Sequence, residues 1–177
     1  TFDELEHTLD GMGDLTDDIK DKKDDYTDIE TIYDDENLLI FKPSGKEQCI
    51  RLAHGRPWCT SRVGGGNLYY NYRLENNLTL YYVIDKDKPF DDLNFAVVIL
   101  VDEYGRKRIA DGKNMAGGYS GHKTESWGTI SSKVPKLADK EYLFVPDPLT
   151  SREKDLLRKY KHITVNTDAV RELGSLE

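Results

Sequence analysis

Two apolar segments of strand length constrain the fold of this chain more than any other feature. The segment LTLYYVID, residues 78–85, alternates in side-chain pattern along its whole length, which predicts a β-strand. The segment NFAVVILVD, residues 94–102, is the most apolar part of the sequence and predicts the central strand. A turn with Gly105 then leads into RKRIAD, which predicts a hairpin. We therefore expect an antiparallel meander at the core.

A further strand and a helix are predicted on the N-terminal side of this meander. The segment NLLIFK, residues 37–42, is short and apolar and ends before Pro43, as expected of a strand. Ser44 and Glu47 have the spacing of a capping box, which predicts a helix that runs to about residue 53. Cys49 falls on the apolar face of this helix, so we expect it in the core.

Two more helices are predicted on the C-terminal side. Thr124 can cap a short helix in ESWGTISSKV, and Thr150 with Glu153 forms a second capping box before SREKDLLRKY. The predicted fold class is α+β. It has an antiparallel sheet of about five strands and two or three short flanking helices behind an acidic N-terminal leader.

The charge of the chain is divided unevenly along its length. The formal net charge is −8, yet residues 1–37 alone hold 15 acidic residues against three lysines. The sequence therefore predicts an acidic leader over residues 1–34 and one α+β domain over residues 35–177. The leader is expected either to be a solvated linker or to cover a basic surface on the body or on a partner.

Composition excludes several classes of protein and favours a cytoplasmic one. The longest apolar run, residues 95–101, is too short to cross a membrane, and no signal peptide is visible, so we expect no membrane association. Two cysteines are too few for a disulfide framework. The four histidines are scattered, so we predict no metal site, and the glycine-rich loop at residues 112–123 matches no nucleotide-binding motif. We therefore predict no cofactor.

One stretch, RLAHGRPWCTSRVGGGNLYYNYR at residues 51–73, concentrates residues that can carry chemistry. Cys59 and His54 are five positions apart and could act as nucleophile and base, with Asp102 to orient the histidine. Neighbouring arginines would lower the pKa of the thiol. The alternative, which the sequence favours, is that Cys59 beside Trp58 is a buried packing residue.

The same stretch could instead bind a ligand. Arginine beside tyrosine suits phosphate contacts and base stacking. The candidate ligand-binding residues are Arg56, Trp58, Arg62, Tyr69, Tyr72 and Arg73. Because the whole chain is acidic, a small phosphorylated ligand or one strand of RNA fits better than duplex DNA. The alternative is that these side chains only cover the open face of a sheet.

Two resemblances accompany these residues. The pair His54-Gly55 resembles the His-Gly that opens the NAD site of poly-ADP-ribose polymerase-like transferases, which would imply a stacking tyrosine at Tyr69, Tyr70 or Tyr72 and a late acid at Glu125. The run LLIFKPSGKEQCIRLAHGRPWCTSR, continued by NLYYNYRL and LTLYYVID, is similar to a poorly characterised domain of bacteriophage and mobile-element proteins. This similarity covers residues 37–160, and Trp58-Cys59-Thr60 is its specific part. It implies a viral origin and no particular reaction.

From these observations the sequence favours a phage-encoded binding or assembly module that uses an arginine- and tyrosine-rich face and a protein partner. Its expected location is the cytoplasm of a bacterial host or the virion. An enzyme acting on a nucleotide-like or phosphorylated substrate and a weak binder of single-stranded RNA are the alternatives. We also expect the Trp58-Cys59 segment and the loop at residues 112–123 to meet at one end of the sheet.

Overall fold

The computed structural model describes residues 25–53, 55–63, 66–111 and 123–161. In these ranges the chain forms one five-stranded antiparallel sheet in which the strands lie in chain order. The strands are β1 (Glu30–Asp34), β2 (Leu38–Lys42), β3 (Thr79–Asp85), β4 (Ala96–Val101) and β5 (Lys107–Ala110). The helices are α1 (Lys46–Leu52), a π-helical turn (Asn71–Glu75), α2 (Trp127–Lys133) and α3, which covers residues 151–161. The predicted α+β class and meander are confirmed.

Strand β3 lies at the centre of the sheet, where β4 was expected. All seven residues of β3 and all six of β4 are buried, so both faces of these strands are covered. On one face Leu80, Tyr82 and Ile84 join a cluster with α1 and α3, and on the other Tyr81 and Val83 join one with α2. The alternation in residues 78–85 thus distributes side chains between two cores, and neither face of β3 is open.

The sheet begins earlier than the sequence predicts. Strand β1 lies within the segment assigned to the acidic leader, and it pairs with β2 through a bulge between Thr31 and Tyr33. Just before it, Asp28 accepts two hydrogen bonds from the buried Arg51 guanidinium, at 2.9 and 2.6 Å. Ile29 is buried in the core beside them. Residues 25–34 therefore belong to the folded unit, while residues 1–24 of the expected leader lie outside the described residues.

Of the three predicted helix caps, one is formed and two are not. The Thr150–Glu153 capping box is formed, because Thr150 N donates to Glu153 Oε1 at 3.0 Å and Glu153 N donates to Thr150 Oγ1 at 3.1 Å. The box expected at Ser44 is not formed, since Ser44 N donates to Gln48 Oε1 and α1 starts at Lys46. Helix α2 is capped by Ser126, two residues after the predicted Thr124.

The hairpin between β4 and β5 forms as predicted, and Gly105 adopts a φ of +83° at its turn. Within the described ranges, none of the helices has the length and apolar character needed to cross a membrane.

Candidate functional site

Trp58, Cys59 and Thr60 lie inside the fold. Trp58 is 1% exposed, and its Nε1 donates to the carbonyl oxygen of Asp111 at 2.7 Å. Cys59 Sγ lies 3.0 Å from the Tyr72 hydroxyl, and Thr60 Oγ1 lies 2.7 Å from the Tyr82 hydroxyl. Each of the three consecutive side chains is thus paired with a different part of the fold.

Cys59 has the environment of a structural thiol. Burial raises its pKa, and this effect outweighs the opposing hydrogen bond from Tyr72 and the charge of Arg62. Burial likewise raises the pKa of Cys49 on α1. A thiol must ionise to attack, so both cysteines are poor nucleophiles in this setting.

Asp102, the acid of the predicted catalytic set, is engaged by its own neighbours. Asp102 accepts hydrogen bonds from the backbone of Tyr104 and Arg106, both at 2.9 Å, and from Arg106 Nε at 2.6 Å. These bonds outweigh burial and lower its pKa, and they commit its carboxylate to the β4–β5 hairpin. His54 lies outside the described residues, and so do residues 112–122 of the glycine-rich loop.

We predict that neither cysteine reacts with an alkylating reagent in the native protein. Reaction should occur only at the rate at which the protein opens, because both thiols are buried and hard to ionise. Intact-mass measurement after timed alkylation checks this, with Ser132→Cys, on the exposed side of α2, as a positive control. Rapid labelling of Cys59 at neutral pH would contradict the prediction and favour the enzyme alternative.

The expected exposed face of arginine and tyrosine is not formed. Tyr69 and Tyr72 are each 2% exposed, and Trp58 is buried with them. Arg73 is 5% exposed and is paired with Glu153 of α3, through Nε at 2.7 Å and Nη2 at 3.0 Å. Trp58, Tyr69 and Tyr72 belong to the core cluster that covers one face of β3. Of the six predicted ligand-binding residues, Arg62 is exposed, Arg56 is partly exposed and the other four are buried.

Arg56 supports a surface loop between β3 and β4. Its guanidinium carbon lies 4.7 Å from the centre of the Phe90 ring and 5.3 Å from that of Phe95. The same side chain donates to the carbonyl oxygens of Phe90 and Asp92. Two turns, closed by Asp92 N to Pro89 O at 3.0 Å and Phe95 N to Asp92 O at 3.1 Å, hold the loop backbone.

This loop presents apolar side chains to solvent. Phe90 is 57% exposed and Leu93 is 40% exposed, and the exposed Asp91 and Asp92 lie between them in the chain. We call Arg56, Phe90, Asp91, Asp92 and Leu93 the Phe90 surface.

A cleft of 280 Å³ lies elsewhere, at the end of β2 and the start of β3. Helix α3 and the segment before it close its other side. Among its lining residues are Lys42, Ser44, Tyr69, Arg73, Asp147 and Arg152. Tyr69 and Arg73, two of the predicted ligand-binding residues, and Tyr70, a candidate stacking tyrosine, are buried residues of its wall.

Lys42 is the central charged group of this cleft. Its Nζ lies 3.2 Å from Glu30 Oε2 and 2.9 Å from Asp147 Oδ2. Burial alone would lower the pKa of Lys42, but hydrogen bonds to Asp147 and Glu30 outweigh burial and raise it. Lys42 is therefore a stable cation at neutral pH. The sequence gives no local signal for this group, since its members come from three separated segments.

In the described part of the chain, no three histidine, cysteine or carboxylate side chains are grouped so that they could hold a metal ion. Comparison of the chain with protein-family models, with curated proteins and with solved structures finds no match.

Proposed function

We propose that this chain is a binding module that docks on a protein partner through the Phe90 surface. The observation that carries the proposal is the exposure of Phe90 and Leu93 on a loop that Arg56 holds in place. A few residues carry most of the binding energy at protein interfaces, and tryptophan, tyrosine and arginine are enriched among them, while phenylalanine is enriched at interfaces as a whole. A loop that is already ordered loses little conformational entropy when a partner binds it.

The charges around the Phe90 surface indicate the chemistry of the partner. Asp91 and Asp92 are exposed beside the apolar side chains. A complementary partner would have an apolar recess for Phe90 and Leu93, bordered by lysine or arginine. We place the module in a phage or mobile-element protein, on the strength of the resemblance over residues 37–160, and expect it in the host cytoplasm or in the virion.

The interior position of the Trp-Cys-Thr segment also supports a binding role. An enzyme built on Cys59 needs an accessible thiolate, whereas a binding module needs this segment only as packing. Burial of Trp58, Cys59 and Tyr72 fits the second requirement.

We predict that Phe90→Ala weakens the partner complex by about 2 kcal/mol or more, because it removes the central apolar contact. The partner would be isolated with the wild-type chain from extracts of phage-carrying bacteria or from virions, then purified. Its affinity would be measured by calorimetry against wild type, Phe90→Ala and Leu93→Ala.

The matched control is Tyr104→Ala. Tyr104 is also exposed, at 74%, and also lies under an arginine, with the Arg106 guanidinium carbon 5.1 Å from its ring. It sits on the β4–β5 hairpin, outside the Phe90 surface. Equal loss of affinity in Tyr104→Ala and Phe90→Ala, or no loss in either, would contradict the proposal.

A further inference from the structure

One wall of the cleft is formed by Arg73 and Glu153, whose polar groups bind each other and nearby backbone. Arg73 is paired with Glu153 through two hydrogen bonds, and its Nη1 also donates to the carbonyl oxygen of Asp147 at 2.8 Å. With its further bonds to the Leu78, Thr79 and Pro148 oxygens, all N–H donors of Arg73 are used. The Glu153 carboxylate accepts both bonds from Arg73 and also caps α3. The two residues shape the cleft without recognising anything in it.

The other charged groups of the cleft are more open to solvent. The Glu30 and Asp147 side chains are 58% and 39% exposed, while Lys42 between them is 19% exposed. Arg152, on the first turn of α3, lines the same space. These four side chains carry two positive and two negative charges, so the open part of the cleft has no net charge.

The rest of the lining offers apolar contact and the hydroxyl groups of two exposed residues, Ser44 and Thr150. Tyr69 and Tyr70 pack edge to face, with ring centres 5.0 Å apart, and Leu80 and Leu156 complete the buried wall. Ser44 stands exposed at the end of β2. A small apolar group can therefore contact the wall while charged groups of the same molecule stay at the mouth.

We propose that the cleft binds a small zwitterion of the α-amino acid class. The ligand carboxylate would meet Lys42 and Arg152, its ammonium would meet Glu30 and Asp147, and its side chain would contact the tyrosine and leucine wall. A ligand with only an ammonium would compete for Glu30 and Asp147 with Lys42, which is 19% exposed and would lose its partners. A ligand with only a carboxylate would draw Lys42 away from the two acids, which would then repel each other. This site is separate from the Phe90 surface and does not depend on the protein partner.

The test follows amide chemical shifts of the intact chain during titration with each standard L-amino acid. At least one is expected to shift residues of β2, β3 and the start of α3 together. Its deaminated acid and its decarboxylated amine should bind at least about tenfold more weakly, a difference of about 1.4 kcal/mol. Equal binding by either analogue, or no cleft shifts with any amino acid, would overturn the proposal.

Two variants on β1 separate recognition from a general charge effect. Glu30→Gln removes a carboxylate that lines the cleft and should weaken the amino acid about tenfold. Asp34→Asn removes a similarly exposed carboxylate of the same strand, which pairs with Lys86 at 2.6 Å outside the cleft. It should leave binding unchanged. If the two variants weaken binding equally, the proposed ammonium site is wrong.

Discussion

Arg73→Ala is expected to lower the free energy of unfolding by about 3–5 kcal/mol, because it removes one partner of a buried ion pair. Arg73 is 5% exposed and the Glu153 side chain is 12% exposed, so water can replace only a small part of the lost contacts. The substitution would also leave the carbonyl oxygens of Asp147 and Pro148 without this donor. A small domain has about 5–15 kcal/mol of stability in total, so this loss is a large share.

Urea unfolding followed by circular dichroism measures the effect, with Arg158→Ala as the matched control. Arg158 also lies on α3 in an ion pair, with Asp155, but its side chain is 74% exposed. Removal of such a surface pair should cost only about 0–1 kcal/mol. Similar losses in the two variants would show that Arg73 does not hold α3 against the sheet.

A second substitution shows whether the unpaired charge causes the loss. The double variant Arg73→Met with Glu153→Met removes both charges and keeps apolar volume, so it should be more stable than Arg73→Ala. Recovery should be partial, since Glu153 also caps α3 and the backbone carbonyls stay unpaired. A double variant that is less stable than Arg73→Ala would mean that the charges themselves contribute net stability.

The sheet could be predicted from the sequence because its signals are local. Alternation in residues 78–85, the apolar run at 94–102 and the glycine at position 105 each act over a few residues, and all three lead to elements of the structure. The Thr150–Glu153 capping box is local in the same way. Strand β1 was missed because its few apolar side chains, Ile32 and Tyr33, are surrounded by acids.

The placement of the arginines could not be predicted, because their partners are distant in the chain. Arg73 pairs with a residue 80 positions later, and Arg56 donates to backbone 34 and 36 positions later. In the local sequence, arginine lies beside tyrosine, and this pattern predicts an exposed face rich in both residues. In the fold, helices cover both faces of β3, and Arg73 is buried in an ion pair with Glu153 of α3. The cleft was missed for the same reason, since Lys42 and Asp147 meet only after folding.

Trp58→Ala is the other substitution expected to have a large effect, with a loss of about 3–5 kcal/mol in the free energy of unfolding. Trp58 is fully enclosed, packs edge to face on Tyr82 with ring centres 5.5 Å apart, and donates to the carbonyl oxygen of Asp111. Alanine would leave a cavity and remove the indole donor from the carbonyl oxygen of Asp111. Trp58→Phe keeps part of the packing and should recover part of the loss.

Trp127 is the matched control, since the chain has only two tryptophans. Its indole also donates to a backbone carbonyl, that of Ala138 at 3.2 Å, and also contacts an aromatic ring, that of Phe144 at 5.2 Å. It is only partly buried, so Trp127→Ala should cost clearly less than Trp58→Ala. Unfolding should be followed by circular dichroism, because each variant loses a fluorophore.

The result decides what the Trp-Cys-Thr segment contributes. A large loss in Trp58→Ala, together with unreactive thiols, would mean that the segment ties α1, β3 and the π-helical turn into one core through Trp58, Cys59 and Thr60. The most specific part of the phage-domain resemblance would then carry structure, and recognition would belong to the Phe90 surface and the cleft. A loss no greater than that of Trp127→Ala would mean that the core does not depend on Trp58, and the segment would again be a candidate for chemistry.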